Sequence, residues 1–394
     1  MTSADALAFP RWPKFATDEV EAVADVLRSG KVNYWGGEHG SEFEREFATY
    51  CGVEHGIVLA NGSLALELAL HALDIGPGDE VVVTPRSFIA SASSVVLRGA
   101  TPVFADVDEE SQNLTAATIL KAMTPRTKAV IVVHLAGWPC EMDEILDLAR
   151  AHDVKVIEDC AQAHGAFYRE RPVGSWGDAA TFSFCQDKIL TTGGEGGLLL
   201  LRDRSLWERA WAYKDHGKSY AAAFERKHLP GFRWMHESFG TNWRMTEMQA
   251  AIGRKQLGKL DGWVETRRAH AANLTAAFRK LPALRVPEPP PHLRHAYYRL
   301  GVRVRSEALR EGWNRDRILS AVNQQKVPCF VGACPEIYRE KAFEVAGLAP
   351  IQSLPVAAEL GRDSLVFLVH PTLEDEHVAR TAEVVATVLR EASR

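Results

Sequence analysis

The sequence predicts an α/β fold in which a mostly parallel sheet lies between layers of helices. Between residues 55 and 205, short runs that are apolar throughout alternate with stretches that carry apolar residues at helical spacing. Strands that are apolar at every position are typical of a parallel sheet covered on both faces. The chain has 394 residues, of which 46% are hydrophobic, so it is long enough for two or three domains with a large core.

The alternation can be followed element by element. "HGIVLA" predicts a strand, "NGS" a turn and "LALELALHAL" a helix. "GPGDE" then interrupts the chain, "VVVTP" predicts a short buried strand, and "SFIASASSVVLRG" predicts a helix of small residues. "TPVFADVD" predicts the next strand and "TAATILKAM" the next helix. The series continues with the strand "KAVIVVHL", the amphipathic helix "EMDEILDLARAH" and the strand "VKVIED".

The C-terminal third predicts a second, smaller domain. Residues 241–281 predict two helices or one long broken helix, and the proline-rich "PEPPPH" at 287–292 predicts a surface connection. "YYRLGVRV", "SLVFLVHP" and the final helix then suggest an α+β unit. We therefore predict a large domain over residues 1–257, with an N-terminal substrate loop, and a small C-terminal α+β domain over residues 258–394.

Composition and charge exclude several classes of partner. The net charge is -5, and lysine and arginine are scattered along the chain, so no nucleic-acid or anionic-membrane surface is expected. No apolar run has the length of a membrane span. The N-terminus "MTSADALAFPRWPKF" lacks the basic and apolar layout of a signal peptide. These features predict a cytoplasmic protein.

The cysteines do not form a metal-binding pattern. The only close pair is Cys329 and Cys334, and no second Cys/His pair completes a tetrahedral zinc set. We expect no metal site and reduced thiols at all six positions: Cys51, Cys140, Cys160, Cys185, Cys329 and Cys334.

Asp159 is a candidate for chemistry because it lies at the C-terminal end of an apolar strand, where α/β sheets place ligands. Its carboxylate could stabilise a proton on a ring nitrogen, since a nearby negative charge favours the protonated form. Taken alone, the same aspartate could equally be a capping residue at a strand-end turn.

Four other residues follow strands in the same way. Gly62 and Ser63 lie between a strand and a helix, where free backbone N–H groups bind phosphate or simply begin the helix. Ser183 precedes Lys188 by five residues, and Phe88 follows another strand, although most phenylalanines pack in the core. Together with Asp159 and Lys188 they supply the parts that hold pyridoxal 5′-phosphate (PLP).

The order of motifs resembles one family from about residue 10 to 390. "NGSLAL", "TPRSFIAS", "VIEDCAQAHGA", "GDAATFSFCQDKILTTGGEGG", "KDHG" and "NWRMTEMQAAIG" follow one another as in the DegT/DnrJ/EryC1/StrS family. The resemblance implies a fold-type I, aspartate aminotransferase-like PLP enzyme that acts on nucleotide-linked keto-sugars.

The resemblance also implies roles for residues around the cofactor ring. Lys188 forms the Schiff base with PLP and then moves the proton between substrate and cofactor. Asp159 pairs with the pyridine nitrogen, Gln162 lies near the phenolic oxygen, and Phe88 stacks on the ring. Because the lysine is present, and not the histidine of a dehydrating branch of the family, transamination is expected.

The remaining implied contacts are to the cofactor phosphate. Gly62, Ser63 and Ser183 match its anchors within the subunit. Asn242 matches an asparagine that reaches the phosphate of the neighbouring subunit's cofactor. The resemblance therefore implies a homodimer with active sites shared between subunits.

The implied reaction has two halves. L-Glutamate converts the cofactor to pyridoxamine phosphate, and a nucleotide-linked keto-deoxysugar, 4-keto in preference to 3-keto, then takes the amine. Products of this kind serve amino-sugar, polysaccharide, O-antigen or antibiotic-sugar biosynthesis. The sugar nucleotide is expected at "NYWGGEHG" (33–40) and at residues 326–340. Cys185, Trp138 and Cys140 depart from the usual family pattern and leave the sugar open.

Three alternatives remain. An aminotransferase for a cyclitol ketone would have the same cofactor residues. A cysteine desulfurase would have a histidine before the lysine, where Asp187 stands, and a loop cysteine in a different context. A regulatory, non-catalytic member of the family would have lost Lys188, Asp159 or the phosphate anchors, all of which are present.

Overall fold

Residues 7–394, which the computed structural model describes, form fourteen strands and thirteen α-helices. The strands are β1 His55–Leu59, β2 Glu80–Val83, β3 Thr101–Phe104, β4 Thr127–Val133, β5 Lys155–Asp159, β6 Phe167–Tyr168, β7 Arg171–Pro172, β8 Ala179–Ser183, β9 Gly197–Leu201, β10 Leu284–Arg285, β11 Leu293–Arg294, β12 Leu300–Val304, β13 Cys329–Phe330 and β14 Ser364–Phe367. The helices are α1 Thr17–Ser29, α2 His39–Cys51, α3 Gly62–Ala72, α4 Ala90–Leu97, α5 Ala116–Ala122, α6 Met142–His152, α7 Arg204–Lys214, α8 Glu247–Leu257, α9 Leu260–Phe278, α10 Arg315–Gln324, α11 Lys341–Val345, α12 Pro355–Asp363 and α13 Asp375–Ala392.

The centre of the molecule is a sheet of seven strands in the order β1-β9-β8-β5-β4-β2-β3. Within it, β9 pairs antiparallel with both β1 and β8, and the pairings from β8 to β3 are parallel. Every residue of β2 and β9 is buried, as expected of strands covered on both faces. The predicted α/β architecture with a mostly parallel mixed sheet is confirmed.

Helices cover both faces of this sheet, and strand β1 shows how. Ile57 and Leu59 point into an apolar cluster that contains residues of α3, α4 and α7. Val58 points the other way, into a cluster with Phe43 and Phe47 of α2. Successive side chains of β1 point to opposite faces of the sheet, so one run of apolar residues contributes to the core layers on both faces.

Helices α1 and α2 were not among the elements predicted from the sequence. Helix α2 places Phe43 and Phe47 four residues apart, so both lie on one helix face and both are fully buried. Helix α1 packs on α8. The N-terminal region is therefore part of the core that supports the sheet.

The second sheet is antiparallel, with four strands in the order β10-β12-β14-β13. Helices α10 and α13 pack beside it around a cluster that includes Val302, Phe367 and Val385. This α+β unit follows the predicted C-terminal pattern. A third sheet of three short strands, β11-β6-β7, pairs a segment after α9 with one that follows β5.

The predicted domain boundary at residue 258 falls between α8 and α9. Leu260 and Val264 at the start of α9 pack in the cluster beneath the large sheet. Ala271 and Leu274, further along the same helix, pack in the cluster of the small sheet. Helix α9 thus contributes to both cores, and the division at 257/258 stays a prediction.

One buried cluster, His134, Glu158 and Cys160, has the donor types of a metal site, with ligand atoms within 4.8 Å of one another. His134 Nδ1 accepts from the Cys140 N–H at 2.9 Å, so the neutral ring carries its proton on Nε2, which lies 3.0 Å from Glu158 Oε2. Glu158 also accepts at 2.7–2.8 Å from the backbone N–H groups of Gly174, Trp176 and Gly177. These hydrogen bonds account for the cluster as a structural network.

The six cysteines, all within the described range, form no disulfide. Among residues 7–394, no helix combines the length and the apolar character needed to span a membrane.

Candidate active site

A cavity of about 590 Å³ lies between the carboxyl ends of the large-sheet strands and the small sheet. Phe88, Gln162 and Lys188 line it, and they follow β2, β5 and β8 respectively. Residues of β12 and β14 form the opposite wall. The cavity therefore occupies the position where open α/β sheets bind ligands.

Lys188 is held at the cavity by its backbone and by its neighbours. Its N–H donates to the carbonyl of Cys185 at 3.1 Å, and its carbonyl accepts from Trp12 Nε1 at 2.7 Å. The side chain is 15% exposed, with Nζ 3.7 Å from Asp187 Oδ1 and 5.2 Å from the centroid of the Tyr298 ring. The amine is thus placed between a carboxylate and an aromatic face.

Asp187 keeps a negative charge beside this amine. Burial favours its neutral form, but the charge of Lys188, a hydrogen bond from the Tyr298 hydroxyl and the charge of Arg299 together hold the pKa of Asp187 below its usual value. Burial and the charge of Asp187 raise the pKa of Tyr298, so its hydroxyl remains a donor. Sequence reasoning missed Tyr298, because nothing local connects it to a lysine so distant along the chain.

Asp159 is the last residue of β5 and is 4% exposed. Its Oδ2 accepts from the Ser91 hydroxyl at 2.8 Å and its Oδ1 from the Ala161 N–H at 3.1 Å. Burial raises the pKa of Asp159, while these two hydrogen bonds and the charge of Lys188 oppose the rise. The carboxyl is therefore fixed in one orientation in a place where a further cationic partner would stabilise its charge.

Ser91, which sequence reasoning did not identify, belongs to a short hydroxyl chain. Its Oγ lies 2.9 Å from that of Ser87, and both side chains are buried. Because Ser87 immediately precedes Phe88, this chain links the segment after β2 to Asp159 at the end of β5. The four-residue spacing of the two serines at the start of α4 was the available signal.

Gly62, Ser63 and Ser183 come together at the start of α3. A Cβ built on Gly62 would lie 2.6 Å from Cβ of Ser183, so the close approach requires glycine. Asn61 caps the helix by accepting from the Leu64 N–H at 3.0 Å. The first N–H groups of a helix have no partner within it, so this end can bind an anion.

Gln162 and Phe88 lie on two sides of the cavity. Gln162 Oε1 accepts from the Ala136 N–H at 2.8 Å, which fixes the direction of its amide. Phe88 is 67% exposed, so its ring is not used for core packing and one face is free for a ligand.

Asn242 does not line the cavity and its side chain is exposed. Its segment nevertheless runs beside the end of β1, because the Ala60 N–H donates to the carbonyl of Trp243 at 3.0 Å. Arg244 Nη1 holds the same segment by donating to Asp215 Oδ1 at 2.7 Å. The segment that contains Asn242 therefore lies near the start of α3, and the Asn242 side chain itself is exposed to solvent.

Of the two segments predicted to bind the sugar nucleotide, one lines the cavity and the other does not. Six residues of the 326–340 stretch line the cavity: Phe330, Gly332, Ala333, Cys334, Ile337 and Glu340. None of residues 33–40, all of which the structure describes, lines this cavity, and the last two begin α2. Their role in binding sugar stays a prediction.

The three positions that depart from the family pattern lie in different parts of the structure, and one of them lines the cavity. Trp138 lines the cavity, and Cys140 is buried with its Sγ donating to the Val133 carbonyl at 3.3 Å. Cys185 lies outside the cavity lining, with its Sγ 4.0 Å from Glu195 Oε1.

Comparison with known proteins agrees with this fold. The DegT/DnrJ/EryC1/StrS aminotransferase family matches residues 13–386. The X-ray structure of an aminotransferase from Psychrobacter cryohalolentis is 53% identical, with a TM-score of 0.96 over 97% of this chain and 99% of that chain.

Two curated relatives carry substrate names. GDP-perosamine synthase from Caulobacter vibrioides is 46% identical over 242 residues, which are 59% of this chain and 62% of that protein. The dTDP-3-amino-3,4,6-trideoxy-alpha-D-glucose transaminase from Streptomyces venezuelae is 36% identical over 365 residues, 92% of this chain and 90% of that protein.

The family predicted from the motifs is confirmed, as is the fold type of PLP-dependent aminotransferases. The match extends over nearly the whole chain and includes both the large sheet and the small sheet. The chain belongs to the DegT/DnrJ/EryC1/StrS aminotransferase family.

Proposed function

We propose that this protein transfers an amino group from L-glutamate to a nucleotide-linked keto-deoxysugar, with PLP bound at Lys188. A 4-keto acceptor is the expected substrate and a 3-keto acceptor the alternative. One observation carries the proposal: Lys188 lines the cavity, and the neighbouring strand ends carry a buried carboxylate, Asp159, and the N-terminus of α3. Family membership and the two relatives named for nucleotide sugars support the same class.

The residues fit PLP. The contact of Gly62 with Ser183 leaves a cradle at the start of α3 in which a Cβ would clash, suited to a phosphate group. Asp159 is a buried carboxylate whose two bonded donors are a hydroxyl and an N–H, so it has no cationic hydrogen-bond partner among residues 7–394. A protonated ring nitrogen would provide one.

When bound, PLP supplies an electron sink for the carbon that loses its proton. Lys188 is the residue that removes this proton and returns it, acting as general base and then as general acid through Nζ. Asp187 and Tyr298 hold the amine at the cavity. Asp159 keeps the ring nitrogen protonated, since its negative charge disfavours loss of that proton.

The other residues bind and orient. The N–H groups of Gly62 and Ser63 and the hydroxyl of Ser183 would donate to the phosphate. Phe88 would pack on the ring, and Gln162 would donate its amide N–H, since its Oε1 already accepts from the Ala136 N–H. Rigid placement of this kind lowers the entropic cost of reaching the reactive geometry.

A homodimer with shared sites forms part of the proposal. Leu229, Phe232, Trp234 and Phe239 are 89%, 78%, 85% and 99% exposed in the single chain. So many large apolar side chains in one surface segment are typical of a protein–protein interface. Because this segment leads directly into Asn242, its burial against a second copy would bring that amide to the partner's phosphate site.

Substitution of Asn242 by alanine is expected to weaken PLP binding about 10- to 100-fold, the effect of one hydrogen bond to a charged group. The measurement is the dissociation constant of PLP from the protein, with the oligomeric state checked by sedimentation. Thr241→Ala, next to it, is the control and should retain wild-type affinity. Unchanged affinity in Asn242→Ala, or a monomer that holds PLP tightly, would argue against a shared site.

The proposed function is tested by the visible absorbance of the purified protein with PLP, before and after L-glutamate is added without any acceptor. Conversion of the bound cofactor to its amine form establishes the donor half-reaction. Nucleotide keto-sugars then follow, and the NMR spectrum of the product distinguishes amination at C4 from C3. Acceptance of a cyclitol ketone in place of every sugar would favour the cyclitol alternative, and absence of any response to amino donors would favour a regulatory role.

A further inference from the structure

Arg86 lies in the wall of the same cavity and has no part in the mechanism above. It follows β2 by three residues and precedes Phe88 by two. The residue lines the cavity although it is only 2% exposed. Arg86 is therefore a buried cationic residue in the wall of the cavity that a substrate would fill.

The guanidinium is incompletely paired. Nη2 donates to Gln112 Oε1 at 2.7 Å and to Ser364 Oγ at 3.4 Å, both of which are neutral groups. Nε and Nη1 have no hydrogen-bond partner among residues 7–394. A buried donor without a partner costs more than a typical hydrogen bond gains, and the cost is larger for a charged group.

The charges around Arg86 do not compensate its own. Arg303 and Arg315 are close enough to disfavour its protonated form, and Asp363 is the nearby carboxylate that favours it. Asp363 makes no hydrogen bond to Arg86: its Oδ2 accepts from Arg303 Nε and Nη2 at 3.0 and 2.8 Å, and its Oδ1 has no partner among residues 7–394. Burial lowers the pKa of Arg86 to about 10, so the group is still a cation at neutral pH.

The acidic residues of the cavity wall are also committed elsewhere. Glu110 forms an ion pair with Arg285, and Asp187 lies beside Lys188. Glu340 is exposed to solvent. Neither Glu110 nor Asp187 forms an ion pair with Arg86 in the structure.

Gln112 shows that this part of the wall is preformed. Its backbone has φ 61°, a left-handed conformation that residues other than glycine seldom adopt. The side chain of this residue accepts from Arg86 Nη2 at 2.7 Å, which holds the guanidinium in place. A fixed cation with free donors, at the edge of a cavity, is the arrangement that binds an anion.

We propose that Arg86 binds an anionic oxygen group of a substrate: a carboxylate of the amino-acid donor or a phosphate of the nucleotide-linked acceptor. The inference rests on the proposed function for the identity of these substrates. Carboxylate and phosphate present similar oxygens to a guanidinium, so the two sources share one chemistry and differ in which half-reaction depends on Arg86.

The test compares Arg86→Gln and Arg86→Lys with the wild-type holoenzyme. The first measurement is the concentration of L-glutamate that half-saturates the donor half-reaction, followed by cofactor absorbance. The second is the affinity for inorganic pyrophosphate, measured by calorimetry. Arg315→Gln is the matched control, because it removes a positive charge near Arg86 without changing a residue of the cavity wall. Arg315 does not line the cavity, and its Nη1 donates to the Ser364 carbonyl at 2.8 Å.

In Arg86→Gln we expect one of the two affinities to fall about 10- to 100-fold, the loss of a charged hydrogen-bond donor. Arg86→Lys should show a smaller loss of the same affinity, since it retains charge without the guanidinium fork. Arg315→Gln should leave both near wild type. A loss for L-glutamate assigns the carboxylate, and a loss for pyrophosphate assigns the phosphate.

Other results would contradict the inference about Arg86. If both affinities are unchanged in a folded Arg86→Gln protein that retains PLP, Arg86 is a structural residue and the inference is wrong. If Arg86→Gln does not fold, unchanged affinities in Arg86→Lys lead to the same conclusion. If the wild-type protein does not respond to L-glutamate, the proposed function is contradicted, but the pyrophosphate titration still tests the role of Arg86. If the wild-type protein binds neither L-glutamate nor pyrophosphate, both the proposed function and the inference about Arg86 are wrong.

Discussion

Replacement of Lys188 by alanine is expected to abolish turnover without disturbing the fold. The side chain is 15% exposed and lies beside a carboxylate and an aromatic ring at the cavity, so its removal leaves no unfilled space in the apolar core. Loss of a general base alone lowers a rate about 10²- to 10⁴-fold, and loss of the proposed covalent link between Lys188 and PLP would add to this. The measurements are steady-state transamination and the visible absorbance of the PLP-reconstituted protein.

An exposed lysine on the same sheet, Lys128, provides the control, and Lys128→Ala should retain full activity. Circular dichroism and thermal unfolding of Lys188→Ala should match those of the wild type. Partial recovery on addition of methylamine would show that the missing group is an amine. Substantial residual transamination in Lys188→Ala, without added amine, would show that another residue moves the proton.

Much of the large sheet could be predicted because β1 to β5 are separate apolar runs and each of the first four has a helix after it. The antiparallel strand β9 could not, since "GLLLL" is apolar at every position and the pattern carries no information on strand direction. Helix α2 has a weaker pattern, with Phe43 and Phe47 separated by charged residues, although both are fully buried. Its burial depends on the opposite face of a sheet that forms from later residues.

The residues of the candidate site also fall into two groups: those that the sequence predicted and those whose importance depends on contacts between distant segments. Lys188 and Phe88 were predicted from their places near strand ends and Gln162 from the family resemblance, and the carboxyl ends of the strands bring all three to one cavity. Tyr298 and Arg86 were missed because their importance depends on contacts between distant segments. Asn242 was predicted from resemblance alone, and the single chain places it outside the cavity. Its contact with a cofactor depends on a second copy.

Substitution of Asp159 by asparagine is expected to lower kcat about 10²- to 10⁴-fold, because it would remove one charge of the proposed buried ion pair with the ring nitrogen, an interaction of about 3–5 kcal/mol. Ser91→Ala is the graded control. It retains the charge but removes the 2.8 Å hydrogen bond, so we expect a loss of about tenfold. Kinetics of the donor half-reaction measure both. Equal losses in the two variants would indicate that orientation, and not charge, is the contribution of Asp159.

The stability of the apoprotein gives an independent measure of the same charge. Burial raises the pKa of Asp159 above that of a carboxyl in the unfolded chain, so its ionised form at neutral pH is less favourable in the folded protein. Asparagine removes this cost, and the apo form of Asp159→Asn should unfold at the same temperature as the wild type or higher. With PLP bound, the order should reverse, because only the wild type gains the ion pair. A variant less stable than the wild type in both forms would mean that Asp159 is needed for folding and not for the cofactor.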